Sequence, residues 1–129
     1  MLYKIDMKSS EPLYEQIVNQ TKELVIRGIL RPGDKVMSVR ELATDLVINP
    51  NTVSKAYQEL ERLGLLEMRR GRGTFVSEDW VDDDASREPV IASIKKIAID
   101  CHYANVPLEE AIDVLRTEYE KVGEANAES

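Results

Sequence analysis

Ile48–Val76 reads INPNTVSKAYQELERLGLLEMRRGRGTFV. Asn49 is a good helix cap, and Pro50 suits a first helical position, where its missing N–H costs nothing. Val53, Ala56, Tyr57, Leu60 and Leu63 then recur at helical spacing and mark a buried side, until Gly64 stops the pattern. LLEM at Leu65–Met68 and GTFV at Gly73–Val76 predict two short strands, joined by a basic turn with glycines where the backbone needs freedom. A helix followed by a cationic hairpin is the core of the reading, and the rest of the chain is arranged around it.

Upstream, Ser38 and Glu41 have the spacing of a capping box, and Leu42, Ala43 and Leu46 give a second helix an apolar face that runs through Val47. VINPN interrupts it for about three residues, and so short a join forces a steep crossing, as in a helix-turn-helix. Before it, Arg31–Val36 (RPGDKV) reads as a turn, and Pro12–Gly28 as a first helix with Pro12 at its first position and Leu13, Ile17, Leu24 and Val25 on one face. Leu2–Ile5 is read as a short edge strand or a loose arm. Residues 12–76 thus spell helix, helix, helix, hairpin.

Charge is divided along the chain. The whole carries −7, which argues against a nucleic-acid partner if taken as one number. Residues 1–77 hold 12 Lys+Arg against 10 Asp+Glu, a net of +2, while residues 78–129 hold 5 against 14, a net of −9. A duplex-binding surface therefore has to be local and has to lie in the first part. Packing of the two-helix pair leaves the start of the third helix outward, where it fits a major groove. Asn51, Thr52 and Lys55 are the candidate base contacts: Asn pairs with adenine, Thr offers a hydroxyl and a methyl, and Lys reaches guanine or phosphate. Ser38, Arg40, Asn49, Tyr57, Arg69, Arg70, Gly71, Arg72 and Gly73 are the candidate backbone and wing residues, since a tight turn with several guanidinium groups can lie along phosphates or enter a minor groove.

In this order and spacing, PLYEQIVNQTKELVIRGILRPGDKV followed by SVRELATDLVINPNTVSKAYQELERLGLLEMRRGRGTFV resembles the GntR family of bacterial transcription regulators. The resemblance covers about half the chain and implies a winged helix-turn-helix that binds near-palindromic operators as a dimer and usually represses. The short acidic tail is similar to that of the YtrA subfamily, which implies a link to ABC-transporter operons and cell-envelope stress. Arg40 falls on the family's arginine in the S-x-R-x-L-A segment, Thr52 and Lys55 on recognition-helix positions, Gly73 on the wing glycine and Arg72 on the wing tip. Met37 stands where proline often precedes the serine, and Pro50 stands where many members place a base-reading arginine, so no operator sequence carries over.

The expected organisation is a winged domain at 1–77, an acidic connector at 78–88 with Asp79 and Asp82–Asp84, and a two-helix dimerisation region at 89–129 with a frayed GEANAES end. The fold class is mainly α with a small β hairpin. Pro89 is expected to open the fourth helix. Val90, Ile91, Ile94, Ile97, Ala98 and Cys101 form its apolar stripe, and Leu108, Ala111, Ile112, Leu115, Tyr119 and Val122 form that of the fifth. Pairing with a second copy is favoured over a monomer with a helical lid. Solitary Cys101 and His102 exclude an internal disulfide and a multi-Cys/His zinc site within one chain. No cofactor or metal is implied, no phosphate-loop spacing is present, and the carboxylates lie in solvated runs, so the chain is not read as an enzyme. The start lacks an apolar signal core and no apolar run spans a bilayer, which places the chain in the cytoplasm without a membrane partner. Partners are then duplex DNA, a second copy, and an effector of unknown identity whose pocket would lie at the dimer interface or beside the DNA-binding domain. The alternative is a winged-helix protein-interaction module without specific DNA binding.

Overall fold

The computed structural model describes residues 2–78 and 87–127, with side chains through Val122. Five helices and one hairpin follow in the order α1 (Leu13–Ile26), α2 (Val39–Leu46), α3 (Pro50–Arg62), β1 (Leu66–Arg69), β2 (Gly73–Val76), α4 (Arg87–Ala104) and α5 (Leu108–Ala127). They fall into two compact units, one holding α1 to β2 and the other α4 and α5. Asp79 and Asp82–Asp84 of the expected connector lie outside the described residues.

The first unit is closed by aliphatic side chains from every element. Ile17 of α1, Leu42 of α2, Val53 and Leu60 of α3 and Val76 of β2 are fully buried. Helix boundaries follow local chemistry. Pro12 is the N-cap of α1 rather than its first residue. At α2, Ser38 accepts from the Glu41 N–H and the Glu41 carboxylate accepts from the Ser38 N–H, the complete capping box. At α3, Asn49 caps and Pro50 follows, as expected. Gly64, at φ 78°, takes the left-handed turn that ends α3 and that a side chain would strain.

Besides Pro12, four expectations are corrected in this unit. Val47 is 85% exposed, because it is the left-handed C-cap of α2 and points away from the helix face it was assigned to. Leu63, at the C-cap of α3, is exposed rather than buried. The first strand begins at Leu66, with Leu66 opposite Val76 and Arg69 opposite Gly73. Leu2–Ile5 is neither a strand nor loose. Gln20 accepts from the Lys4 N–H at 2.8 Å and donates to the Lys4 carbonyl at 2.7 Å. Gln16, one turn earlier, accepts from the Asp6 N–H at 2.9 Å and donates to the Asp6 carbonyl at 3.0 Å. Two side-chain amides thus satisfy the arm's backbone, and Tyr3 is buried with its hydroxyl 2.7 Å from that of Thr21.

The hairpin has a third edge. Lys35 bridges antiparallel to Phe75, the Val36 N–H donates to the Thr74 carbonyl at 2.9 Å, and the Val76 N–H donates to Asp34 at 2.8 Å. Leu66, Thr74 and Val76 face inward, while Lys35, Glu67, Arg69 and Phe75 share the outer face.

The second unit is two helices joined at an elbow. Asn105 takes φ 58° and the Val106 N–H donates to the Cys101 carbonyl at 2.9 Å, which turns the chain into α5. Two boundaries differ from expectation: α4 begins at Arg87, ahead of Pro89, and α5 continues to Ala127 through most of the segment expected to fray. Cys101, Ala111, Ile112 and Val122 are half-buried, and no described side chain of this unit is fully buried.

Candidate nucleic-acid interface

α2 and α3 are joined by Val47–Asn49 alone. Leu42 and Ala43 on one side and Val53, Ala56, Tyr57 and Leu60 on the other are buried between them and α1, which fixes the crossing. The opposite side of α3 therefore faces solvent, and at helical spacing it presents Asn51, Lys55, Gln58 and Arg62, all exposed. Thr52 is half-buried at the flank. Asn49 accepts from the Asn51 N–H at 2.8 Å, so its side-chain oxygen is committed to the cap while its amide donors are not. Lys55 is folded back: its ammonium lies 3.9 Å from the ring centroid of Tyr14 on α1. The two helices flank a groove of about 550 Å³ lined by Tyr14, Glu15, Val18, Lys55, Glu59 and Arg62 among others. Arg62 is ion-paired there to Glu59, which holds the Glu59 carboxyl below its ordinary value.

Arg40 and Ser38 stand at the exposed start of α2. The Ser38 hydrogen bonds also hold the Glu41 carboxyl below its ordinary value. At the hairpin, the turn closes with the Arg72 N–H donating to the Arg69 carbonyl at 2.9 Å and Gly71 at its apex. The three wing arginines are not equivalent. Arg69 is paired to Glu67 at 2.7 Å and Glu78 at 3.7 Å and lies 4.3 Å from the Phe75 ring centroid. Arg70 and Arg72 are exposed and have no ion pair among the described residues. The wing thus offers two uncommitted guanidinium groups at its tip and one committed to its own face. Gly73 is at φ 120°, and a side chain there would sit 2.9 Å from Cε of Lys35.

The family model for bacterial regulatory proteins of the gntR family matches residues 13–76. Over 111 residues the chain is 51% identical to the HTH-type transcriptional repressor YtrA of Bacillus subtilis (strain 168), covering 84% of this chain and 85% of that one. The chain belongs to the gntR family. Among solved structures, a transcriptional antiterminator from Listeria monocytogenes EGD-e matches at TM-score 0.85 and 36% identity, covering 95% of this chain and 92% of that one. YtrA from Sulfolobus acidocaldarius, a GntR-family transcription factor, matches at TM-score 0.62 and 37% identity, covering 74% of this chain and 99% of that one.

A YtrA-type gntR protein is a DNA-binding transcription regulator with a winged helix-turn-helix, and the family is one of regulators rather than enzymes. Against that background one expected contact is corrected. Tyr57 is buried, its hydroxyl donates to the Met37 carbonyl at 2.6 Å, and burial pushes its pKa well up. It holds the α2 approach to α3 and has no free hydroxyl for a phosphate. Two exposed polar residues escaped the sequence reading. Gln58 lies seven residues after Asn51, a spacing that returns to the same helix side and was available as a signal. Lys35 sits in a segment that reads only as a turn, so its pairing with Phe75 has no local sequence signature. Among the described residues no helix is long and apolar enough to cross a membrane, and no cluster of His, Cys, Asp or Glu could hold a metal ion.

Proposed function

We propose that this gntR-family regulator acts in the cytoplasm as a homodimeric repressor, reading a near-palindromic duplex through the start of α3. The observation that carries the proposal is the shared exposure of Asn51, Lys55 and Gln58 on α3, together with a wing tip whose two arginines have no ion pair among the described residues. In this reading Asn51, Thr52 and Lys55 read bases, and Lys55 leaves the Tyr14 ring to do so. Gln58 joins them, since a side-chain amide can pair with adenine as Asn does. Ser38, Arg40, Asn49, Arg70, Gly71, Arg72 and Gly73 hold the backbone, with Arg69 shaping the wing. Arg40 and the wing tip supply the counterion release on which affinity depends.

Dimerisation is assigned to the tail. Ile94 and Ile97 of α4, and Leu115 and Tyr119 of α5, leave large apolar surfaces at 47%, 54%, 60% and 78% exposure. Burial of apolar area is worth roughly 25 cal/mol per Å², so facing stripes from two copies supply useful association energy. The stripe comprises Val90, Ile91, Ile94, Ile97, Ala98 and Cys101 with Leu108, Ala111, Ile112, Leu115, Tyr119 and Val122. A symmetric dimer presents two recognition helices to half-sites about 34–36 Å apart, or a multiple. The resemblance to YtrA repressors supports control of a transporter or envelope-stress operon, and a small effector would act by changing the spacing of the two winged domains.

Selection of bound sequences from a random duplex library, followed by sedimentation of the complex on the selected site, tests this directly. An inverted repeat bound by two chains is the expected result. Recovery of no enriched sequence, with no binding to duplex at low salt, would leave a protein-interaction module in its place.

A further inference from the structure

The third edge of the wing carries a cation of its own. Lys35 is fixed in place by the bridge to Phe75 and by the Val36–Thr74 hydrogen bond of 2.9 Å. Its side chain is exposed and has no ion pair among the described residues. The stem crosses the bare Cα of Gly73: a side chain at that position would lie 2.9 Å from Cε and 3.6 Å from Nζ. Glycine at 73 therefore leaves room for a lysine stem, which leads the ammonium along the wing. Three residues later Ser38 opens α2, with Arg40 in its first turn. The Lys35 charge is felt on that side too: after the Ser38 hydrogen bonds, it helps hold the Glu41 carboxyl below its ordinary value.

We infer that Lys35 binds a DNA phosphate lying between the wing and the start of α2, joining the two backbone-contacting surfaces into one track. The inference rests on the DNA-binding reading above and adds a residue to it. A lysine held on a sheet edge and without an ion pair among the described residues, its stem over the Gly73 that follows Arg72 and its segment leading into the helix that carries Arg40, suits phosphate as a point charge and carries no base information.

The test separates charge from stem. Lys35→Met keeps the stem over Gly73 and removes the ammonium, while Lys35→Arg keeps the charge. Affinity is titrated on the selected duplex and on a scrambled one from 50 to 300 mM salt, with thermal melts as a check on folding. The expected result is a roughly five- to tenfold loss for Lys35→Met on both duplexes near 0.1 M salt, with the logarithmic salt slope shallower by about one. Lys35→Arg should keep both values. An unchanged slope for Lys35→Met, with or without a lower melting temperature, would overturn the inference while leaving DNA binding intact. Absence of binding by the unsubstituted chain would instead remove the reading on which it rests.

Discussion

The two units of this chain are built from similar apolar residues and use them in opposite ways. In the winged unit Ile17, Val53 and Leu60 are wholly enclosed, and the hairpin and its third edge close the side that the helices leave open. In the tail unit Ile94, Ile97, Leu115 and Tyr119 stay at the surface, and nothing described there is fully buried. One unit has the enclosed core that independent folding needs. The other is a pair of stripes whose described residues are at most half-buried, so most of their apolar area is left exposed. Amphipathic spacing alone does not distinguish these cases, because a stripe looks the same whether its partner is in the same chain or in another.

The contrast can be broken most forcefully from the core. Leu60→Ala should destabilise the winged unit by about 2–5 kcal/mol, read as a lower urea midpoint, because Leu60 is fully buried in the unit's core and its truncation leaves a cavity there. A cost below about 1 kcal/mol would mean the unit is loosely packed. In the tail, Leu115→Asp should shift the particle from dimer to monomer in sedimentation and leave the melting of the winged unit nearly unchanged. A dimer that survives this change would move the self-association surface elsewhere.

Smaller changes sharpen the boundary between core and interface. Tyr57→Phe removes the hydrogen bond to Met37 and should cost about 0.5–1.5 kcal/mol of stability, without altering the salt slope of duplex binding. A shallower slope would return Tyr57 to the interface. The least effect concerns pH. The Glu41 carboxyl is held below its ordinary value of 4.5, chiefly by the Ser38 hydrogen bonds. A lowered folded-state pKa gives stability that is present above 4.5 and is lost as pH falls below it through the folded value. Melts of the chain and of Glu41→Gln should therefore differ at neutral pH and converge in acid.

Most of the winged unit was legible because its instructions are local. Ser38 with Glu41, Asn49 with Pro50, and the Gly71–Gly73 turn each announce a boundary within a few residues. Val47 and Leu63 misled because both are apolar residues at helix ends, where the chain has already left the helical path. The exposed side of α3 and the cationic turn were legible as surface features but not in their commitments. The sequence marks Lys55 as a candidate base contact and Tyr57 and Arg69 as candidate backbone or wing contacts, while only the fold shows Lys55 on Tyr14, Arg69 on Phe75 and Tyr57 on Met37. Lys35 was hidden because strand pairing between residues 40 positions apart leaves no short-range trace.

The paired glutamines of α1 have a consequence for the kinetics of exchange with solvent. The amides of Lys4 and Asp6 belong to no helix or sheet, yet each is held by a side chain rooted one helical turn from the next. Their deuterium uptake should follow the opening of α1 itself, so the first few residues report on the stability of a helix to which they do not belong.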